Sequence, residues 1–263
     1  MAPENTIAAA RKALAVGADA WELDVGVSSD GELVVIHDKL LTRTSNVKEV
    51  FSRKISMRVR DHTLDELRRL DFGSWFCRDD PFGTIQAGFV SREDALAYTG
   101  ERIPTLREAL VFTRESEWLV NVEIKDLGRV PGCRNAIEKV LAAIEEEQMG
   151  DRVLISSFNH GYLVQVRNLN PHIPTGALVE TAHPDPVRLL RRLGAQTYHP
   201  ASTAFRVPDV GALHDAGYKV LVWVANDEKQ MRTLVGAGVD GVFTDFPHVL
   251  KAVMISATDS TGI

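Results

Sequence analysis

Three acidic residues carry the strongest chemical signal in the chain. Glu22 and Asp24 stand in Trp21-Glu22-Leu23-Asp24-Val25, and Glu123 stands in Val122-Glu123-Ile124-Lys125. Both segments alternate apolar and polar residues, the period of a strand with one buried face. In the first, Trp21, Leu23, Val25 and Val27 oppose Ala20, Glu22, Asp24 and Gly26; in the second, Val120, Val122 and Ile124 oppose Asn121, Glu123 and Lys125. If the apolar faces pack on surrounding helices, three carboxylates and one ammonium converge on the other side. Buried carboxylates neutralise themselves or find a cation. Three carboxylates against Lys125 leave two negative charges, which one divalent ion balances, and oxygen-only ligands suit a hard ion, Mg²⁺ or Ca²⁺. A carboxylate–lysine network without metal fits the same pattern.

His37 closes the apolar run Val34-Val35-Ile36. The run is joined to the Glu22/Asp24 strand by Ser28-Ser29-Asp30-Gly31-Glu32, too short for a helix and containing the Asp-Gly hairpin signal. That tether brings His37 within reach of the acidic site, where an imidazole serves as general acid or base near neutral pH. Asp38 either orients it or forms a turn. Other polar or aromatic residues end later strands: Phe158 and Asn159, His199, Trp223 and Asn226, Thr244 and Asp245. Position makes them candidate pocket lining. His160, His183 and His199 lack the spacing of a zinc site.

The elements that must position these residues alternate along the chain. Strands are expected at Ala20–Val27, Leu33–His37, Trp118–Lys125, Val153–Phe158, Thr175–Val179, Thr197–Pro200, Lys219–Ala225 and Val242–Thr244. Helices are expected near Thr6–Val16, Thr63–Leu70, Thr105–Glu115, Cys133–Gln148, Gly161–Leu169, Pro186–Leu193, Val207–Ala216, Glu228–Gly236 and His248–Met254. Thr63-x-x-Glu66 and Thr105-x-x-Glu108 are capping-box signatures. Strand–helix alternation means parallel βαβ units. The expected fold is α/β, a (β/α)8 TIM-type barrel whose active site sits at the C-terminal ends of the strands. With the hairpin strand set aside, seven wall strands remain, and a helix opens the chain with no strand ahead of it. The first barrel strand is therefore expected to be missing or truncated. Residues 46–104, between wall strands, read as a small inserted subdomain over one mouth of a single barrel domain spanning 1–263. Its aromatic run Asp71-Phe72-Gly73-Ser74-Trp75-Phe76 reads as packing core rather than a lipid-facing patch.

Composition narrows the function. The 263 residues are 44% hydrophobic and 25% charged, ordinary for a globular chain and wrong for collagen, coiled coil or disorder. A net charge of −6 gives no basic footprint for nucleic acid. Two cysteines, Cys77 and Cys133, form neither a disulfide framework nor a CxxC pair. No apolar run reaches the ~20 residues of a membrane span, and no secretory signal opens the chain. The expected setting is the reducing cytoplasm, and the oligomeric state is open. The tail Ile255–Ile263 is expected to fray.

Taken together, Pro3-Glu4-Asn5-Thr6, Glu22-Leu23-Asp24-Val25, Val35-Ile36-His37-Asp38, Ile103-Pro104-Thr105-Leu106, Val122-Glu123-Ile124-Lys125, Ser157-Phe158, His199-Pro200, Trp223-Val224 and Thr244-Asp245 resemble the glycerophosphodiester phosphodiesterase family. The matching segments run in the family's order over nearly the whole chain. The resemblance implies a (β/α)8 barrel with an insertion after the His-Asp hairpin. It implies Glu22, Asp24 and Glu123 as ligands of Mg²⁺ or Ca²⁺, His37 as the acid that protonates the leaving alcohol, and Lys125 as a phosphate contact. Glu4 and Asn5 would stand beside the site, with Phe158, His199 and Trp223 lining the substrate pocket. The implied reaction is hydrolysis of a small-molecule glycerophosphodiester to glycerol 3-phosphate and an alcohol, the substrate's own hydroxyl attacking phosphorus first to give a cyclic phosphate.

One departure bears on activity. The family carries a His-Arg-Gly segment several residues before Pro-Glu-Asn-Thr, supplying a second catalytic histidine and a phosphate-binding arginine, and this chain opens at Met1-Ala2-Pro3. The expectation is an internal start or a truncation, a gap in the barrel wall, and impaired hydrolysis by these residues alone. Two other readings compete. A different barrel enzyme acting on a sugar phosphate would use the same carboxylates for Mg²⁺ but not His37 as leaving-group acid. A degenerate, non-catalytic barrel would bind glycerophosphodiesters or a protein partner without turnover.

Overall fold

The architecture follows from the alternation. A computed structural model describes residues 1–51, 56–128 and 135–261, with side chains described to residue 257. Cys133 and the expected start of its helix lie outside the described residues. Eight strands form one sheet: β1 (Ala20–Val27), β2 (Leu33–Val35), β3 (Leu119–Ile124), β4 (Val153–Ser157), β5 (Thr175–Val179), β6 (Thr197–Pro200), β7 (Lys219–Val222) and β8 (Gly241–Val242). Their spatial order is β2-β1-β3-β4-β5-β6-β7-β8. All neighbours from β1 through β8 pair in parallel, and β2 alone runs antiparallel, with Val25 opposite Val35. Seven parallel strands and one hairpin strand are what the sequence leads one to expect. The result is a curled, half-barrel sheet. Among the described residues, Ala20–Leu23 of β1 pair only with β3 and β8 pairs only with β7.

The turn from β1 to β2 depends on Gly31, whose φ of +81° a side-chain-bearing residue adopts at a cost. The outward faces of β1 and β3 then pack as the alternation demands. Leu23, Val25, Val122 and Ile124 have no exposed surface and share a core with Leu106, Ala109 and Leu110 of helix Leu106–Glu115 and with Ile137, Val140 and Ile144 of helix Ala136–Glu146. Each such aliphatic side chain contributes about 1.5–3 kcal/mol by leaving water. Trp21 and Trp118 stack with ring centroids 6.3 Å apart, and each indole N–H is satisfied, by Thr113 Oγ1 and the Ala18 carbonyl respectively. With the apolar face fixed this firmly, a one-residue register slip would exchange core for carboxylates, so the direction of Glu22, Asp24 and Glu123 is set by their neighbours.

Both capping boxes form, at Thr63/Glu66 and Thr105/Glu108. Among the described residues the segment 46–104 holds four short α-helices, Val47–Val50, Leu64–Leu67, Ser74–Asp79 and Arg92–Leu96, and one 3-10 turn, Val59–Asp61. Trp75 and Phe76 are buried, with Val90 and Ala95, so the aromatic run is core. The C-terminal helix, Pro247–Thr261, runs well past the expected end at Met254, and the tail through Thr261 is helical rather than frayed. No helix among the described residues is long and apolar enough to cross a membrane.

Candidate active site

The two carboxylates of β1 and the one of β3 meet because these strands are register partners. Asp24 lies opposite Glu123, and Glu22 opposite Asn121. One oxygen from each of Glu22, Asp24 and Glu123 lies within 4.8 Å of the others. Asp24 and Glu123 are buried and Glu22 is half-buried. Lys125, the next inward residue of the β3 line, places Nζ 2.7 Å from both Asp24 Oδ1 and Glu123 Oε1. The one ammonium is thus shared between two carboxylates.

The electrostatics show what the cluster lacks. Burial, then the charges of Asp24 and Glu123, hold the Glu22 carboxyl well above the usual carboxylate range. Burial, then Asp24, raise Glu123 as well, with Lys125 pulling the other way. Burial works against charge on Lys125, but Asp24 and Glu123 outweigh it and keep the ammonium protonated. Two acids driven toward neutrality beside a single ammonium are what an uncompensated anionic site looks like. The donor set fits a hard divalent ion: three carboxylates, oxygen only, from two rigid strands.

Asn5 frames the site from the other side. It precedes helix Ile7–Ala15 with φ +55°, a left-handed conformation that asparagine tolerates better than most residues. Its Nδ2 donates to Asp24 Oδ2 at 2.7 Å and its Oδ1 accepts from the Asp24 amide at 3.0 Å, so one side chain fixes both backbone and carboxylate. Glu4, next to it, adds to the negative potential at Glu22.

His37 follows β2 directly and is exposed. The hairpin still brings it close enough for its charge to act on Glu123. Its Nδ1 lies 2.7 Å from Asp38 Oδ1, a contact that favours the alternative in which Asp38 orients the imidazole. Sequence reasoning missed the next residue in this chain of contacts. Arg43 donates to Asp38 through Nε at 2.7 Å and Nη2 at 3.0 Å, and to Glu4 through Nη1 and Nη2 at 2.6 Å each. No periodicity marks an arginine in an irregular segment, and its partner Glu4 is remote in sequence.

The aromatic residues form a second group. Phe158 follows β4 and Trp223 follows β7, and their rings meet edge to face with centroids 5.3 Å apart. The Trp223 indole donates to the His199 carbonyl at 2.8 Å. His199, a candidate for pocket lining, is enclosed. Its ring is fully buried, with Nε2 2.7 Å from Thr197 Oγ1, and burial lowers its pKa to about 3. Gly176 makes the space, since a Cβ there would lie 2.5 Å from the imidazole. Asn226 and Asp245 bond to each other at 2.6 Å and tie the ends of β7 and β8.

Comparison with known proteins is consistent with this arrangement. The model of the glycerophosphoryl diester phosphodiesterase family matches residues 1–249. A glycerophosphodiester phosphodiesterase of Caldanaerobacter subterraneus subsp. tengcongensis is 36% identical over 94% of this chain and 90% of its own. One from Bacillus altitudinis is 38% identical over 96% and 92%. Among solved structures, an Oleispira antarctica phosphodiesterase in complex with the product sn-glycerol-3-phosphate superposes with a TM-score of 0.80 at 29% identity, covering 97% of this chain and 92% of that one.

Proposed function

The chain belongs to the glycerophosphoryl diester phosphodiesterase family and is a phosphodiesterase, and from that premise we propose that it hydrolyses small-molecule glycerophosphodiesters to glycerol 3-phosphate and an alcohol in a metal-dependent reaction. The setting is a single TIM-type α/β barrel domain in the cytoplasm, of whose wall the described residues form seven parallel strands, with residues 46–104 as an inserted subdomain. The observation that carries the reading is the meeting of Glu22, Asp24 and Glu123 within 4.8 Å, with too little positive charge to balance them.

Glu22, Asp24 and Glu123 would hold the ion, Mg²⁺ or Ca²⁺, with Asn5 fixing Asp24. Bound there, a divalent cation supplies Lewis-acid stabilisation to phosphoryl oxygens. Lys125 adds a fixed positive charge at the same place for the phosphate. His37, its Nδ1 engaged by Asp38, presents Nε2 to protonate the leaving alcohol as the substrate's own hydroxyl closes on phosphorus. The edge-to-face pair Phe158 and Trp223 gives an apolar wall to the glycerol, with His199 supporting Trp223 from beneath. Glu4 holds the arginine that braces the histidine loop.

In this reading one imidazole, that of His37, whose charge reaches Glu123, serves both as base and as acid. Hydrolysis by residues 1–263 as they stand is therefore expected to run about 10²–10⁴-fold below that of a relative with two such groups. The test is release of glycerol 3-phosphate from glycerophosphocholine, assayed with and without chelator. Turnover that EDTA removes and Mg²⁺ or Ca²⁺ restores, and that Glu123→Gln abolishes, supports the proposal. Turnover indifferent to EDTA overturns the metal dependence. Calorimetric binding of glycerophosphocholine with no product formed would instead mark a non-catalytic barrel.

A further inference from the structure

We infer that Arg43 is a positioning residue for phosphodiester cleavage, acting through Asp38 to hold the ring of His37 in the one tautomer and orientation that leaves Nε2 free for the leaving group. The inference rests on the proposal that His37 is the leaving-group acid. It starts from a continuous line of contacts, Glu4–Arg43–Asp38–His37, in which every step is 3.0 Å or shorter.

Arg43 is the only member able to bridge the other charged groups. A guanidinium presents its N–H donors in a planar fork that matches carboxylates two atoms at a time. Here one edge of the fork takes both oxygens of Glu4 and another takes both oxygens of Asp38. Glu4 precedes helix Ile7–Ala15, whereas Asp38 follows β2, so Arg43 fastens the irregular segment after the hairpin to the segment that carries Asn5. Without that fastening, nothing among the described contacts ties Asp38 to the helix side of the site.

The consequence at His37 follows from donor and acceptor rules. Arg43 holds the Asp38 carboxyl down to about 2, so it is ionised and accepts only. The imidazole nitrogen 2.7 Å away, Nδ1, must then carry hydrogen. Nε2 is left as the nitrogen that exchanges a proton with substrate. In the cleavage step the attacking hydroxyl forms its bond to phosphorus and gives its proton to Nε2, the bond from phosphorus to the leaving oxygen breaks, and that oxygen takes the proton back from Nε2. The ring passes through the imidazolium and returns to the neutral Nδ1–H form, and Asp38 keeps its charge throughout. These groups are partly exposed, with side-chain exposure of 44% for Arg43 and 27% for Asp38, so a large stability role is not expected of them. Such a link serves geometry more than folding.

The experiment separates positioning of an acid from general structural support. Arg43→Gln and Arg43→Lys are assayed on two substrates, glycerophosphocholine and the p-nitrophenyl ester of glycerol 3-phosphate. The nitrophenolate leaves without protonation, so loss of a leaving-group acid hurts it far less. Arg43→Gln is expected to lower kcat on glycerophosphocholine about 10–100-fold, a typical result of removing an outer partner, with KM little moved. The nitrophenyl ester should suffer a much smaller loss, and Arg43→Lys, which keeps charge but not the fork, should recover part of the activity. In a His37→Ala background Arg43→Gln should cost nothing further. Equal losses on both esters, or losses that add to those of His37→Ala, overturn the inference. A second measurement needs no turnover: long-range ¹H–¹⁵N spectra of the imidazoles should show His37 as the Nδ1–H tautomer in the parent and shifted toward Nε2–H in Arg43→Gln. An unchanged tautomer overturns the inference too. If His37→Ala itself damages both esters alike, the reading of His37 as the acid fails, and the spectra still decide whether Arg43 sets the ring.

Discussion

Glu22→Gln removes one negative charge from the acidic cluster while keeping its volume. The three carboxylates lie within 4.8 Å of each other, and two unit charges at that distance repel by roughly 3–4 kcal/mol at an effective dielectric of about 20. Lys125 offsets part of this for Asp24 and Glu123, which it touches, but makes no ion pair with Glu22. Glu22 escapes part of the repulsion by holding its proton, because burial and its two acidic neighbours raise its pKa. A half-buried group is also screened by solvent, so a net gain of about 1–2 kcal/mol in the metal-free protein is the reasonable figure. For a chain of this size that corresponds to a rise of about 2–8 °C in Tm. The sign follows from linkage. A carboxyl whose folded pKa lies above its unfolded value destabilises progressively as pH rises through that interval. The advantage of Gln over Glu is therefore largest at alkaline pH and vanishes below the ordinary carboxylate range. Divalent ion acts in the opposite sense, contributing about 2.7 kcal/mol at a hundred times Kd in the parent. Thermal melts in EDTA and in excess Mg²⁺ or Ca²⁺ should show Glu22→Gln melting higher than the parent without metal and gaining less with it. A variant that melts lower in EDTA yet gains as much from metal would refute the charge argument.

Two predictions concern the barrel interior. Gly176→Ala places a methyl 2.5 Å from the His199 imidazole and 2.6 Å from Thr197 Oγ1, and overpacking of this kind should destabilise by about 1–3 kcal/mol in a urea melt. An unchanged midpoint would mean the ring has room to move. His199 is neutral when folded, with its pKa lowered to about 3 by burial, so its contribution is lost as pH falls from the ordinary histidine value toward that figure. His199→Gln should flatten the pH dependence of Tm over that interval, and an identical slope would place the titration elsewhere.

Much of this was legible in the sequence, for physical reasons. β1, β5 and β6 begin and end where alternation and β-branched runs put them, because each strand's apolar face must be covered. The acidic trio was legible because period-two alternation assigns a face residue by residue. Four features were not. The helices of 46–104 are only four to six residues long, too short for a hydrophobic period to show. Arg43 joins a remote partner from an irregular segment, where no period operates. His199 was a candidate for pocket lining, but strand alternation cannot tell a ring at the mouth from one enclosed lower down, and Gly176 on the neighbouring strand makes the space that encloses it. Helix Pro247–Thr261 outran its expected end because the polar residues after Ile255 carry no stop signal.

The central claim is that Glu22, Asp24 and Glu123 together hold one divalent cation. Crystals grown from chelator-treated protein and soaked in Mn²⁺, a hard ion with an anomalous signal, test it most directly. A single anomalous peak bonded to oxygens of all three carboxylates, lost in Glu123→Gln, is the predicted result. A difference map with Lys125 still clamped between Asp24 and Glu123 and no ion beside them would contradict it.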